Sequence, residues 1–198
     1  MKRVVGLSLI AAFMSVVQSG CALQGTTPPS TYYMLDAVST TQSVSGLEGI
    51  AFGVGPIAVV DYLDRPQIVT RTMGSEVAVN EEHRWVGPIR EAIIRVLVNE
   101  IAVQTGSASV YAFPWPPAAP IDMKVLARVG RFDADETGLA RLEVQWWLQR
   151  DDEVLEVRRG VYEARALDST YSARVVALND VLSQFARAIV TEVAAVTD

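Results

Sequence analysis

Residues 121–165 read IDMKVLARVGRFDADETGLARLEVQWWLQRDDEVLEVRRGVYEAR, and the fold is decided there. Three apolar-rich runs, Ile121–Phe132, Leu139–Arg150 and Glu153–Arg165, are separated by acidic or glycine-bearing segments at Asp133–Gly138 and Asp151-Asp152. In the second run Ala140, Leu142, Val144, Trp146 and Leu148 alternate with Arg141, Glu143, Gln145 and Gln149, the period of two of a strand with one buried face. In the first, Met123, Val125, Ala127 and Val129 share a face. Runs joined by connections too short for a crossover predict an antiparallel three-strand meander. The third run loses its alternation at Arg158-Arg159-Gly160, which predicts a bulge there. Three side chains break the one-face pattern: Leu126 and Phe132 fall opposite Val125, and Trp147 falls among polar neighbours. Either a helix of the same chain covers that second face, or these groups form a contact surface.

Outward from the meander the period changes. Over Trp85–Gln104, apolar residues at Trp85, Ile89, Ala92/Ile93, Val96/Leu97 and Ile101 fall on one helical face. Pro88 is tolerable in a first turn, and Thr105-Gly106 is a C-terminal stop. Tyr171–Val196 has the stripe Val175, Leu178, Leu182, Phe185, Ile189 and Val193, with Ser172 a candidate N-cap. Shorter strands are expected at Tyr32–Leu35, at Ile50–Val60 with a bend at Gly55-Pro56, at Ser109–Phe113, and in a hairpin of Gln67–Thr72 and Glu76–Asn80. Pro114–Pro120 holds four prolines and cannot be regular. These elements predict an α+β fold: a single domain over residues 31–198, with an antiparallel or mixed sheet, a C-terminal three-strand meander and two long helices packed against it.

Ahead of that domain, Met1-Lys2-Arg3, the uncharged Val4–Val17 and Gln18-Ser19-Gly20 have the layout of a secretory signal, so residues 1–20 are expected to be removed. The chain's one cysteine, Cys21, then follows Ser-Gly and resembles a bacterial lipobox, in which the thiol is acylated. Lipid attachment at Cys21 explains a lone thiol in an oxidising compartment. Residues 21–30, with Pro28-Pro29, are expected to be a lipidated tether. The 198 residues are 50% hydrophobic with a net charge of −6. An acidic chain without basic clusters is unsuited to nucleic acid, and membrane attachment is left to the acyl chains.

Little in the sequence supports catalysis. His83 is the one histidine, so multi-histidine metal sites are excluded. There is no Gly-x-Ser-x-Gly elbow. The acidic clusters at Asp133–Glu136 and Asp151–Glu153 lack calcium-loop spacing, and Gly53-Val54-Gly55-Pro56 lacks the lysine and following helix of a phosphate loop. We expect no enzyme activity, no cofactor and no metal. Two competing readings remain: a periplasmic carrier with an enclosed apolar cavity, and a hydrolase in which His83 meets a serine and a carboxylate.

Tyr32-Tyr33-Met34-Leu35, Val54-Gly55-Pro56-Ile57, Arg84-Trp85 with Pro88, and above all Asp61-Tyr62-Leu63-Asp64-Arg65-Pro66-Gln67-Ile68-Val69-Thr70-Arg71 resemble the PqiC (YmbA) family of lipoproteins, auxiliary components of ABC-type transport. The resemblance covers essentially the whole mature chain. It implies a docking or bridging subunit of an MCE-type intermembrane lipid transport system, facing the periplasm. The implied partners are a PqiB-like MCE-domain protein and its membrane components, with a homo-oligomer suited to a conduit. Ala22 after the cysteine resembles an outer-membrane address. Asp61–Arg71 is either a fold-defining turn or a partner-docking segment. For docking the candidates are Asp61, Tyr62, Arg65, Gln67 and Arg71, with Trp147 on the open strand face.

Overall fold

The computed structural model describes residues 29–38, 44–72, 74–151 and 153–197. The expected signal segment 1–20, Cys21 and most of the tether lie outside the described residues. The elements run β1 (Thr31–Tyr33), β2 (Phe52–Val59), β3 (Gln67–Arg71), β4 (Val77–Trp85), α1 (Ile89–Thr105), β5 (Val110–Ala112), β6 (Met123–Asp135), β7 (Leu139–Arg150), β8 (Glu153–Arg165) and α2 (Tyr171–Thr197).

The meander forms as expected: β6, β7 and β8 pair antiparallel along nearly their whole length. They belong to one mixed eight-stranded sheet, curled as a half-barrel. β7 occupies one edge of β6. The other edge is shared by two parallel neighbours, β2 along residues 123–129 and β3 at 134–135. β4 pairs with β3 antiparallel, β1 adds to β4 parallel, and β5 adds to β2 parallel.

Both helices pack on the same face, α1 against β2 and β5, α2 against β6, β7 and β8, and against each other. Every member of the α2 stripe read from sequence is buried. Leu97, Ile101, Leu148, Leu182 and Phe185 are without solvent contact. Burial of side chains of this size contributes about 1.5–3 kcal/mol each. Phe185 is the aromatic hinge of this core, edge-on to Trp146 at 5.9 Å and tilted against Tyr162 at 5.6 Å.

Several local expectations need correction. The bulge read at Arg158–Gly160 is absent: the register of β8 shifts between Glu156 and Val154 and leaves Leu155 as the extra residue. The alternation fails at Arg158 because the helix side of β8 is polar at that end, where Arg158 reaches Glu192 of α2 at 2.7 Å. Gly160 has another purpose. The Tyr162 ring lies across it, and a Cβ there would meet Tyr162 Oη at 2.5 Å. A second bulge at Gly130 was not foreseen. It reverses the facing of the rest of β6, so Phe132 lies opposite Leu142 in the core rather than on the outer face.

Trp85 closes β4 and does not open the first helix; its amide donates to the Pro66 carbonyl at 2.7 Å. Val86-Gly87-Pro88 intervenes, and the residue before a proline is held out of helical geometry, so α1 starts at Ile89. It ends at Gly106 in the left-handed region, φ 70°, whose amide donates to the Ala102 carbonyl at 2.9 Å. The α2 cap is Thr170, not Ser172: Thr170 Oγ1 accepts from the Ala173 amide at 3.2 Å.

A buried polar knot ties the two helices together. Glu100 of α1 accepts from Gln104 Nε2 at 2.9 Å and from Ser183 Oγ of α2 at 3.0 Å. Its other oxygen accepts from the Val38 amide, which fixes the strand-exit segment after β1 on the helix pair. All three side chains are buried, and each finds a partner, as burial of polar groups requires.

Candidate docking surface

Asp61–Pro66 leaves β2 and doubles back into β3 through tight local bonds, Leu63 to the Val60 carbonyl at 3.0 Å and Asp64 to the Asp61 carbonyl at 3.2 Å. Leu63 plugs the turn into the core. What holds the segment laterally is the side chain of Asp133, on β6 and fully buried. Arg131 approaches it at 2.9 Å, Arg71 at 3.5 Å, and the Tyr62 hydroxyl donates to it at 3.4 Å. Burial raises the Tyr62 phenol above its ordinary range, and the Asp133 charge adds to that. Burial pulls the Arg71 guanidinium down, but the Asp133 charge, the Tyr62 phenol and the hydrogen bonds to both together outweigh it, and the net shift is upward.

The sequence candidates therefore separate. Tyr62 and Arg71 converge on Asp133 and brace the turn against β6. Gln67 is committed to Glu81 at 2.9 Å, and this bond with that from Arg84 at 2.6 Å lowers the Glu81 carboxyl. Asp64 pairs with Arg90 at 2.7 Å; with both side chains more than two-fifths exposed, the pair is worth only about 0–1 kcal/mol. Asp61 is exposed. Arg65 is half-buried and lines a groove of about 380 Å³ with Tyr32, Pro66, Arg84 and the ridge Trp85–Pro88. A second groove of about 250 Å³ lies across that ridge, against Met34, Glu91 and Arg95. Tyr32, 61% exposed, and Val86, 64% exposed, form the apolar lip of the groove beside Arg65. Sequence reasoning missed this groove, because its two walls are brought together only by the parallel pairing of β1 with β4.

Trp147 lies apart from that turn. It sits on the face of the sheet away from both helices, so no helix of the chain covers it among the described residues. The ladder aligns Leu126, Trp147 and Val157 in one cross-strand row, and Arg128, Gln145 and Arg159 in the next. Leu126 and Trp147 are half-buried by their neighbours, while Val157 is 47% exposed. Trp and Arg side by side are the residue types that dominate interface energetics.

His83 is engaged elsewhere. Its Nδ1 lies 2.8 Å from the Tyr33 hydroxyl and its ring stacks on Tyr171 at 3.7 Å, joining β4 and β1 to the start of α2. Its side-chain partner is a phenol rather than a serine or a carboxylate. Among the described residues, the main depressions are open grooves of about 250–430 Å³, and the space between sheet and helices is filled by the core. A carrier holding a lipid tail between sheet and helices would need that space.

Among solved structures, the chain is similar to one described as an uncharacterised protein, with 18% identity over 83% of this chain and 99% of the other, and a TM-score of 0.70. It is also similar to a DUF330 protein from Xanthomonas campestris, with 20% identity over 81% of this chain and 93% of that one, and a TM-score of 0.64. At these identities the likeness is one of fold. No match is found among curated proteins. A family model described as the ABC-type transport auxiliary lipoprotein component matches residues 33–190, which span β1 to α2, and the chain belongs to that family.

Proposed function

We propose that this protein is a lipid-anchored docking subunit of an MCE-type intermembrane lipid transport system. In this reading Cys21 carries the acyl chains, residues 21–30 are the tether, and the domain faces the periplasm from the outer membrane. The family match over residues 33–190 carries the proposal, because the family is that of auxiliary lipoproteins of ABC-type transport. The Ser-Gly-Cys-Ala sequence at residues 19–22 supplies the anchor, and Ala22 supports the outer-membrane address. An anchored domain is confined near its partner, which raises the effective concentration without new contacts. The sheet face around Trp147 and the groove beside Arg65 are the surfaces left for docking once Tyr62, Arg71 and Gln67 are assigned to the fold. This subunit binds and bridges, and transport chemistry belongs to its partners.

The test is a crosslinking pull-down from envelopes, comparing the wild type with Cys21→Ser. The anchored form is expected to recover an MCE-domain protein and an ABC ATPase, with recovery falling sharply for Cys21→Ser. Failure to recover either from correctly localised wild type overturns the proposal.

A further inference from the structure

Among the described residues, the longest unpaired edge of the sheet is that of β8. β8 is 13 residues long and pairs only with β7, whereas the other outer strands, β1 and β5, have three residues each. Alternation within an antiparallel ladder decides which backbone groups are free. The Ala166 amide donates to the Gly138 carbonyl at 2.8 Å, so even-numbered residues of β8 turn their N–H and C=O toward β7. The odd-numbered residues Val157, Arg159, Val161 and Glu163 turn theirs away. Glu163 bears this out, since its carbonyl is taken by Gln184 Nε2 of α2 at 3.0 Å. Among the described residues, no backbone bond from another strand reaches Val157, Arg159 or Val161 on that side.

The same three residues direct their side chains to the helix-free face. Val157 and Val161 are 47% and 56% exposed. Arg159 is exposed, and among the described residues neither it nor Arg128 in the same row forms an ion pair. An extended segment laid along this edge continues three existing rows. Its side chain beside Val157 extends Leu126–Trp147–Val157, the one beside Arg159 extends Arg128–Gln145–Arg159, and the one beside Val161 extends Glu143–Val161. Cross-strand neighbours of matched polarity and opposite charge stabilise such pairs, and like charges oppose them.

We infer that the free edge of β8 accepts an extended segment of a partner protein as an added strand, with an acidic residue beside Arg159 and apolar residues beside Val157 and Val161. Backbone bonds supply affinity in this mode, and alternate side chains supply specificity. Charge selects against a second copy of this chain. Antiparallel self-pairing centred on the edge sets Arg159 against Arg159. The register that sets Arg159 against Glu163 meets a carboxylate already paired with Arg141 at 3.1 Å and a carbonyl already held by Gln184. The inference deepens the docking role proposed above, and the two can fail separately.

The experiment uses the full chain in detergent and two short fluorescent peptides of alternating valine and threonine, one with a central glutamate and the other with lysine there. The glutamate peptide is expected to bind at least about tenfold more tightly, a difference of about 1.4 kcal/mol. Arg159→Glu inverts that preference. Val161→Pro removes an edge N–H that makes no bond to β7 and abolishes binding of both peptides. Should Val161→Pro fail to fold, hydrogen exchange on the wild type decides, because the amides of Val157, Arg159 and Val161 must slow when the glutamate peptide is bound. Equal affinity for the two peptides, or unchanged exchange at those amides, overturns the inference. So does a concentration-dependent dimer that Arg159→Glu disperses while neither peptide binds. Peptide binding with no MCE protein in the pull-down leaves the edge intact and removes the transporter reading.

Discussion

Replacement of Asp133 tests whether the Asp61–Arg71 segment is held to the fold rather than presented to a partner. The Asp133 side chain is fully buried and faces two arginines and the Tyr62 hydroxyl. Asp133→Ala leaves Arg71 without its counter-charge and Arg131 with only Glu143, at 4.0 Å. Breaking a buried pair from one side costs about 3–5 kcal/mol. The arginine side chains remain 22% and 18% exposed, and the Arg71 contact is long at 3.5 Å. Water therefore relieves part of the cost, which leaves an expected loss of about 2–3 kcal/mol. For a domain of this size each kcal/mol lowers Tm by about 2–4 °C, so the midpoint should fall by about 4–12 °C. The assay is urea and thermal unfolding of the detergent-solubilised chain, followed by tryptophan fluorescence. The triple variant Arg71→Met, Arg131→Met, Asp133→Leu should recover most of the loss, because an apolar replacement of a whole buried cluster is near neutral. A single-variant loss below about 0.5 kcal/mol would refute the reasoning. So would a triple variant weaker than Asp133→Ala, since the arginines would then be doing something other than neutralising Asp133.

Phe185→Ala empties a site between Trp146 and Tyr162, and the expected loss is about 3–5 kcal/mol, read from the urea midpoint at unchanged slope. Gly55→Ala combines a φ of 110° with a Cβ that would lie 2.6 Å from Phe113 Cβ, so the β2–β5 contact must open and the midpoint drop by more than the roughly 1 kcal/mol typical of a substitution. Asp135 titrates with folding. Burial raises its carboxyl, but the bonds it accepts from Thr137 and from the Leu139 amide outweigh that, and its folded value lies below the usual aspartate range. A depressed folded value means that the stabilisation is complete above the unfolded value of about 3.9 and is lost as pH falls through the folded one. Asp135→Asn should therefore flatten the acid limb of the stability curve, and an unchanged acid limb would remove Asp135 as its source.

Legibility in the sequence followed the range of the interaction. The meander and the α2 stripe depend on periods within one segment, and both were readable. Phe132 was misplaced because Gly130 carries no sign that it is the extra residue of a bulge. A single inserted position inverts every side chain beyond it. The spacing of Trp85 to Ile89 suits a helix, and only the bond from its amide to the Pro66 carbonyl shows that it ends a strand. The Glu100–Gln104–Ser183 knot joins residues about eighty positions apart, so no local pattern announces it. The long string Asp61–Arg71 is the instructive case. Its specificity suggested a partner, yet Tyr62, Gln67 and Arg71 each find theirs within the chain, at Asp133 and Glu81. A segment can be highly specific because many of its side chains are needed to close one turn.

The treatment of the sheet edges points the same way. Exposed strands are a hazard because their free N–H and C=O groups pair with whatever extended chain arrives, and short or charged edges limit it. Here β1 and β5 are too short to template much, and β8 is left long. Its defence is Arg159, flanked by valines that would otherwise invite any β-prone segment. A positive charge at that position repels a second β8 in the symmetric register, yet it favours an acidic strand. In a chain whose net charge is −6, two unpaired arginines in one cross-strand row are more than edge protection needs, because a single lysine or proline on the edge would serve. Arg128 sits two strands in from the edge, where it protects nothing. Together with Arg159 it adds to the positive field that the acid of a strand bound along the row would meet. Arg128→Gln should therefore weaken binding of the glutamate peptide while leaving stability unchanged, whereas a purely protective role for Arg159 predicts no effect of Arg128 at all.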